Sequence, residues 1–244
     1  MASDGSELQD RPAATLSIET IHRRLADEYG VPVNREPSEP TEELVRTILS
    51  QNTNDTNRDR AFRRMRTQYR SWEDVARADT AALADTIRPG GLADLKAPRI
   101  QRALEEIRSR AGAYDLSFVC SMPTPEADRW LRALPGVGPK TAACVLLFSC
   151  QKPVMPVDTH VRRVSDRLGL IPPGTGADAA HAILTARVPA ELIYPLHINL
   201  IRHGRLICRA GTPLCHRCVL RDLCAYARAR GLDHYSPRTP ESRV

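Results

Sequence analysis

Lysine is nearly absent from this chain. Of its 35 basic residues, three are lysines (Lys96, Lys140 and Lys152) and 32 are arginines. Arginine binds anions but keeps its proton and cannot attack carbon, so any amine chemistry falls to those three positions. Long apolar runs are missing as well, and none approaches the roughly 18 residues of a membrane-spanning helix. No segment sustains the two-residue alternation of a half-buried strand. Nothing near the N-terminus has the pattern of a secretory signal, so a cytoplasmic location is expected. Seven cysteines, an odd number, argue against a disulfide framework. Aromatic residues are scarce, at 5%. What remains is an all-α protein whose 42% hydrophobic residues suffice for one large core or two small ones.

Helical periodicity runs through most of the chain. Ile18, Ile21, His22, Leu25 and Tyr29 trace one helix face, which Gly30 ends. A second helix begins near Ser38, tolerates Pro40 in its first turn, and continues through Leu44, Val45, Ile48 and Leu49. Phe62, Met65 and Tyr69 mark a third, with short helices at Trp72 to Ala76 and Thr80 to Ile87, then a longer one carrying Ile100, Leu104, Ile107 and Ala111. Others are expected over residues 178–188 and 190–207. Residues 1–16 and the segment from 231 to 244 are polar, contain proline and lack periodicity, and are expected to be disordered.

The segment Leu134-Pro135-Gly136-Val137-Gly138-Pro139-Lys140-Thr141-Ala142 concentrates the chemistry. Glycines on either side of Val137 allow a tight turn that presents backbone N–H groups to a bulky anion such as a phosphate. Upstream, Thr124 suits an N-cap with Pro125 at the first helical position. Downstream, Pro139 opens a helix whose run from Ala142 to Phe148 is apolar on all sides and should be buried. The result is a helix-hairpin-helix, although a glycine turn can also be a plain corner. Lys140 falls in the first turn of the second helix, where the macrodipole disfavours an ammonium. That effect lowers a pKa by less than about one unit, whereas a free lysine near 10.4 must fall by roughly three to be neutral at pH 7. Desolvation and neighbouring cations must supply the rest.

Two further patterns follow. In Val157-Asp158-Thr159-His160, Asp158 reads as the N-cap of a helix that Gly169 ends. A carboxylate in that place is held ionised, which suits it to stabilise positive charge more than to act as a base. Near the C-terminus, Cys208, Cys215, Cys218 and Cys224 form a Cys-x6-Cys-x2-Cys-x5-Cys run that asks for a metal centre, either iron-sulfur or structural zinc. Cys120, Cys144 and Cys150 lie in or beside apolar helical sequence and read as ordinary buried small residues.

With these three motifs in this order, the chain resembles the endonuclease III branch of the helix-hairpin-helix DNA glycosylases, over roughly residues 17 to 230. The resemblance implies that Lys140 is the nucleophile, Asp158 the catalytic carboxylate, and the four late cysteines the ligands of a 4Fe-4S cluster. It implies a six-helix barrel domain over 37–149 and a cluster domain built from 17–36 plus 150–230, with damaged or abasic double-stranded DNA bound in the cleft between them. A monomer associated with the nucleoid is the corresponding expectation. The implied activity is that of a bifunctional glycosylase and AP lyase of base excision repair, acting on oxidised pyrimidines through a lysine Schiff base. Mismatch-specific thymine or adenine glycosylases, and a non-catalytic zinc-containing DNA-binding protein, are the alternatives. The adenine branch lacks a lysine at the Lys140 place.

The resemblance has departures. The family's Leu-Ser-Ala-Gln-x-x-Asp is here Leu49-Ser50-Gln51-Asn52-Thr53-Asn54-Asp55, so either Gln51 or Asn52 would fill the gap left by an extruded base. Leu92, after Pro89-Gly90-Gly91, stands where the family has an intercalating wedge, although its loop is also readable as a simple turn. His160 matches a base-region contact. The hairpin residues Gly136, Val137 and Gly138 would grip the DNA backbone. A net charge of +6 and a pI near 9.1 suit that partner. Arg202, Arg205, Arg209, Arg217 and Arg221 should make the cysteine region a basic face.

Overall fold

The structure, a computed structural model, describes residues 17–233, and among them every regular element is helical. The polar tails at 1–16 and from residue 234 lie outside the described residues. The start of the second tail is held in place, since the Leu232 N–H donates to Ala227 O at 2.9 Å.

Twelve α-helices follow in chain order among the described residues: α1 (Ile18–Tyr29), α2 (Pro40–Leu49), α3 (Asp55–Gln68), α4 (Trp72–Arg77), α5 (Thr80–Ile87), α6 (Ala93–Ala111), α7 (Thr124–Arg132), α8 (Pro139–Cys144), α9 (Thr159–Leu168), α10 (Ala177–Arg187), α11 (Ala190–Leu206) and α12 (Ala225–Arg228). Their boundaries follow local chemistry. Helix α1 starts at Ser17, whose hydroxyl accepts from Thr20 N, and stops at Gly30 with φ 81°. Helix α2 starts at Pro40 rather than near Ser38, because the Glu39 carboxylate caps it by accepting from Thr41 N and Glu42 N. Thr124 is the first residue of α7, not its cap. Pro123 holds the cap position without a side-chain bond, and Pro125 follows one place inside.

Two separate hydrophobic cores form. The first gathers residues from Leu44 to Leu146, with Ile48, Leu83, Ile100, Leu104 and Ile107 wholly enclosed. The second joins Ile18, Ile21 and Leu25 of α1 to residues from Leu147 to Ala227. Each fully buried leucine or isoleucine contributes about 1.5–3 kcal/mol, so the apolar face of α1 is what fastens the start of the described chain to its C-terminal half. Polar ties add to it. Arg24 pairs with Asp222 through Nη2 and Oδ2 at 2.9 Å, and Asn199 Nδ2 donates to Gly30 O at 2.9 Å.

The run after Lys140 is buried as expected, but it does not stay α-helical. It widens into a π-turn over Val145–Ser149, and the change of core falls inside that turn, between Leu146 and Leu147. A π-turn carries one more residue per turn, so it re-aims the side chains that follow.

The cysteine expectation needs a correction. Cys120 and Cys150 are joined in a disulfide across 30 positions, and only Cys144 of the three is the buried free thiol foreseen. The bond pins the short 3-10 turn Ser117–Cys120 to the end of the π-turn, two places that the periodicity of neither segment relates.

Candidate active site and cysteine-lined cavity

The hairpin between α7 and α8 turns at Gly136, with φ 77°, while Gly138 is extended at φ −92° and ψ 179°. The two glycines do different work. A Cβ at Gly136 would lie 2.7 Å from Arg99 Cδ, whereas at Gly138 it would meet nothing within 4 Å. Val137 between them is buried in the first core and anchors the turn. The open space lies at Gly138, beside the N-terminus of α8.

Lys140 is half-buried one residue into that helix. Its charge acts on Glu43 of α2, Asp55 of α3, Cys144 of α8 and His197 of α11. Asp158 acts on the same histidine from the start of α9. His197 is 2% exposed, and burial holds its imidazole down at about 4, so it is neutral at physiological pH. Its ring stands edge-on to Phe148 at 5.6 Å, and Nδ1 has no hydrogen-bond partner. The charges of the hairpin lysine and the aspartate, eighteen residues apart, thus both act on one buried neutral histidine.

Asp158 caps α9 as expected. Its Oδ1 accepts from His160 N at 2.9 Å and Val161 N at 2.7 Å. Burial raises the Glu43 carboxyl, against the hydroxyls of Ser38 (3.0 Å) and Thr47 (3.1 Å) and the Lys140 charge. Asp55 is lowered, chiefly by Arg205, whose Nη1 lies 2.6 Å from Oδ2. That ion pair bridges α3 and α11, and so links helices of the two halves.

The loop candidates separate. Gln51 Oε1 accepts from Arg99 Nη1 at 2.6 Å, so its amide is engaged. Asn52 is exposed in the left-handed region at φ 52°. Leu92 is in the same region at φ 51° and is 48% exposed. A leucine held there costs on the order of 1–2 kcal/mol and exposes its apolar side chain besides. His160 is half-buried, with Nδ1 3.0 Å from Arg163 Nη2 and its Cβ against Gly204, where a methyl group would come within 2.9 Å.

Cys208, Cys215, Cys218 and Cys224 line one cavity, together with Val164, Leu168, His203, Ile207 and Tyr226. Among the described residues, no three potential ligands are grouped so as to hold a single metal ion. Burial, with the other three thiols adding to it, pushes Cys218 up to about 12. Hydrogen bonds converge on the sulfurs. Leu220 N and Arg167 Nη1 donate to Cys218 and Cys208, each at 3.4 Å. His203 Nε2 lies 3.4 Å from Cys218 Sγ, and its Nδ1 is 3.1 Å from the Tyr29 hydroxyl. Burial holds His203 at about 4 and Tyr29 up at about 12, so a neutral imidazole bridges a protonated phenol and the Cys218 sulfur.

Sequence reading missed the residues that hold these parts. Arg163 Nε donates to Cys208 O at 2.9 Å, and Arg167 Nη1 to Arg209 O at 2.7 Å, fixing the chain at the first cysteine. In a chain with 32 arginines, no pattern singles out two. The expected basic face is present, with Arg202, Arg205, Arg209 and Arg217 exposed and Arg221 half-buried. Arg202 and Arg209 are anchored on the carbonyls of Tyr29 and Leu206.

The sequence and the fold are both similar to those of known proteins. Residues 45–190 match the HhH-GPD superfamily base excision DNA repair protein family. Endonuclease III of Thermotoga maritima is 33% identical over 222 residues, 91% of this chain and 99% of the relative. Endonuclease III of Sulfolobus acidocaldarius is 34% identical over 187 residues, 75% of this chain and 80% of the relative. A trapped endonuclease III–DNA covalent intermediate superposes with a TM-score of 0.75 at 28% identity, covering 88% of this chain and 97% of the other. A thermostable thymine-DNA glycosylase, at 19% identity, shares the fold, with a TM-score of 0.71 over 86% and 96% of the two chains. The chain belongs to the HhH-GPD superfamily of base excision DNA repair proteins, as an endonuclease III-like member.

Proposed function

We propose that this DNA glycosylase and AP lyase removes oxidised pyrimidines through a Schiff base on Lys140, with Asp158 as the catalytic carboxylate. The observation that carries the reading is the placement of Lys140 in the first turn of α8, beside the open space at Gly138, with Asp158 at the cap of α9. A damaged pyrimidine that already stacks poorly is extruded at lower cost than a sound base, and its deoxyribose enters the cleft. The Lys140 lone pair forms the bond to C1′ as the glycosidic bond breaks and its electron pair leaves with the base. Ring opening gives the Schiff base, and loss of a C2′ proton expels the 3′ phosphate. Asp158, whose Oδ1 accepts from two backbone N–H groups, stabilises the cationic sugar.

Gly136, Val137 and Gly138 grip the backbone, and Leu92 and Asn52 hold the vacated stack open. Of the two candidates for the gap, Asn52 is favoured, because Arg99 already occupies the Gln51 amide. DNA crosses the cleft between a barrel over 37–149 and a cluster domain of 17–36 plus 150–230, bound by one chain acting as a monomer in the nucleoid.

The donor set fits a 4Fe-4S cluster. Four thiols line one cavity, where burial and the other three thiols raise Cys218, an effect that a bound cation would offset. All four cysteines line one cavity, and their Cys-x6-Cys-x2-Cys-x5-Cys spacing is the one for which the endonuclease III resemblance implies an iron-sulfur group. Such a group would brace the cysteine loops and the basic face, while base removal falls to Lys140 and Asp158.

Borohydride trapping on duplexes carrying oxidised pyrimidine, uracil, mismatched thymine or a bare abasic site tests the reading. We expect covalent capture with oxidised pyrimidine and abasic DNA, and its loss in Lys140→Ala with DNA binding retained. Full lyase activity in that variant refutes the nucleophile. Capture confined to mismatched thymine refutes the substrate.

A further inference from the structure

Lys96 is the one lysine wholly inside the described protein, at 1% exposure, and the proposed chemistry leaves it idle. It lies on the buried side of α6 with Ala93, Ala97 and Ile100, where an ammonium is expensive to bury unless it is hydrogen-bonded. Burial pulls it down to about 8. Two carbonyls meet it, Leu49 O at 2.7 Å and Gly90 O at 2.8 Å. Leu49 closes α2 three residues before Asn52, and Gly90 closes a 3-10 turn two residues before Leu92. Asn52 and Leu92 are two of the three described non-glycine residues with positive φ, and such strain persists only where its surroundings impose it.

One turn along α6, Arg99 adds a third tie. Its Nη1 donates to Gln51 Oε1 at 2.6 Å, and its Cγ and Cδ lie over Gly136, leaving no room for a methyl group there. The same helix therefore touches the loop after α2, the loop before α6 and the hairpin that precedes Lys140.

We infer that Lys96 and Arg99 are positioning residues that lock these three loops at one spacing, so that Asn52 and Leu92 enter the stack in register with the backbone grip at the hairpin. The inference rests on the proposed role of those loops. It adds that their relative placement is set by a buried cation rather than by apolar packing, which could fill the same volume without aiming two carbonyls.

The test compares Lys96→Met and Arg99→Met with Leu92→Ala and Asn52→Ala in the full-length protein. Readouts are single-turnover excision from duplex DNA, cleavage of an abasic site in single-stranded DNA, and 2-aminopurine fluorescence beside the lesion as the stack opens. We expect Lys96→Met to slow duplex excision at least tenfold, with a matching loss of the fluorescence change, while single-strand cleavage stays within twofold. Combined with Leu92→Ala, it should slow the reaction little beyond Leu92→Ala alone.

Arg99→Met changes a half-exposed side chain and should give the same pattern at smaller amplitude even where Lys96→Met fails to fold. Equal loss on single and double strands in either methionine variant overturns the inference, as does full additivity with Leu92→Ala. Unimpaired duplex excision by Leu92→Ala and Asn52→Ala is the distinct result that removes the loop reading beneath it, leaving the Lys140 assignment untouched.

Discussion

Alanine at the two hairpin glycines should produce two different defects. At Gly136 the methyl group meets a positive φ of 77° and would stand 2.7 and 2.8 Å from Arg99 Cδ and Cγ. The backbone term costs about 1–2 kcal/mol. Moving Arg99 also breaks its 2.6 Å bond to Gln51, a charged hydrogen bond of about 1.5–3 kcal/mol when buried and less at this half-exposed site. A loss of roughly 2–4 kcal/mol follows, or about 4–16 °C in melting temperature for a protein of this size. Gly138 is extended, and a methyl group there meets nothing. Gly138→Ala should therefore keep or slightly raise stability, by up to about 1 kcal/mol through the unfolded chain. Its methyl group would instead occupy the space a phosphate oxygen must enter to reach the backbone N–H groups. We expect weaker binding to damaged and undamaged duplexes alike, since backbone contacts carry no sequence information. Calorimetry and fluorescence anisotropy at fixed salt separate the effects. A Gly138→Ala variant that binds DNA like the parent refutes the hairpin as the phosphate site, and a Gly136→Ala variant of parental stability refutes the packing argument.

Reduction of the Cys120–Cys150 bond, or Cys120→Ser, should lower stability by about 3.6 kcal/mol from loop-closure entropy over the 30-residue separation. An unchanged denaturation midpoint under reductant counts against a bond that constrains the unfolded chain. The cysteine cavity should give the purified protein a broad absorbance near about 400 nm, which iron-sulfur centres show and zinc does not. Cys218→Ala should abolish it and loosen the second core, and a colourless parent protein containing zinc would reverse that assignment.

Local chemistry made much of this molecule readable in advance. Helix ends were legible where a capping side chain or a positive-φ glycine decides them, as at Asp158 and Gly169. They slipped by a residue or two where proline or glutamate took the cap, as at Pro123 and Glu39. The lysine of the hairpin, the capping aspartate and the spaced cysteines stood out because each is a scarce residue type in a patterned place.

The partners of these residues were not legible, because they come from segments far apart in the chain. Glu43, Asp55 and His197 come within electrostatic reach of Lys140 only once the chain has folded. The pairing of Cys120 with Cys150 needs two segments whose periodicities are unrelated to meet. Nothing in the sequence around Lys96 relates it to the two carbonyls that folding closes over it. Periodicity and capping act within a few residues, so they register in the order of the amino acids. Burial, which neutralises His197 and raises Glu43, is a property of neighbours, and the neighbours are chosen by the packing of the two cores.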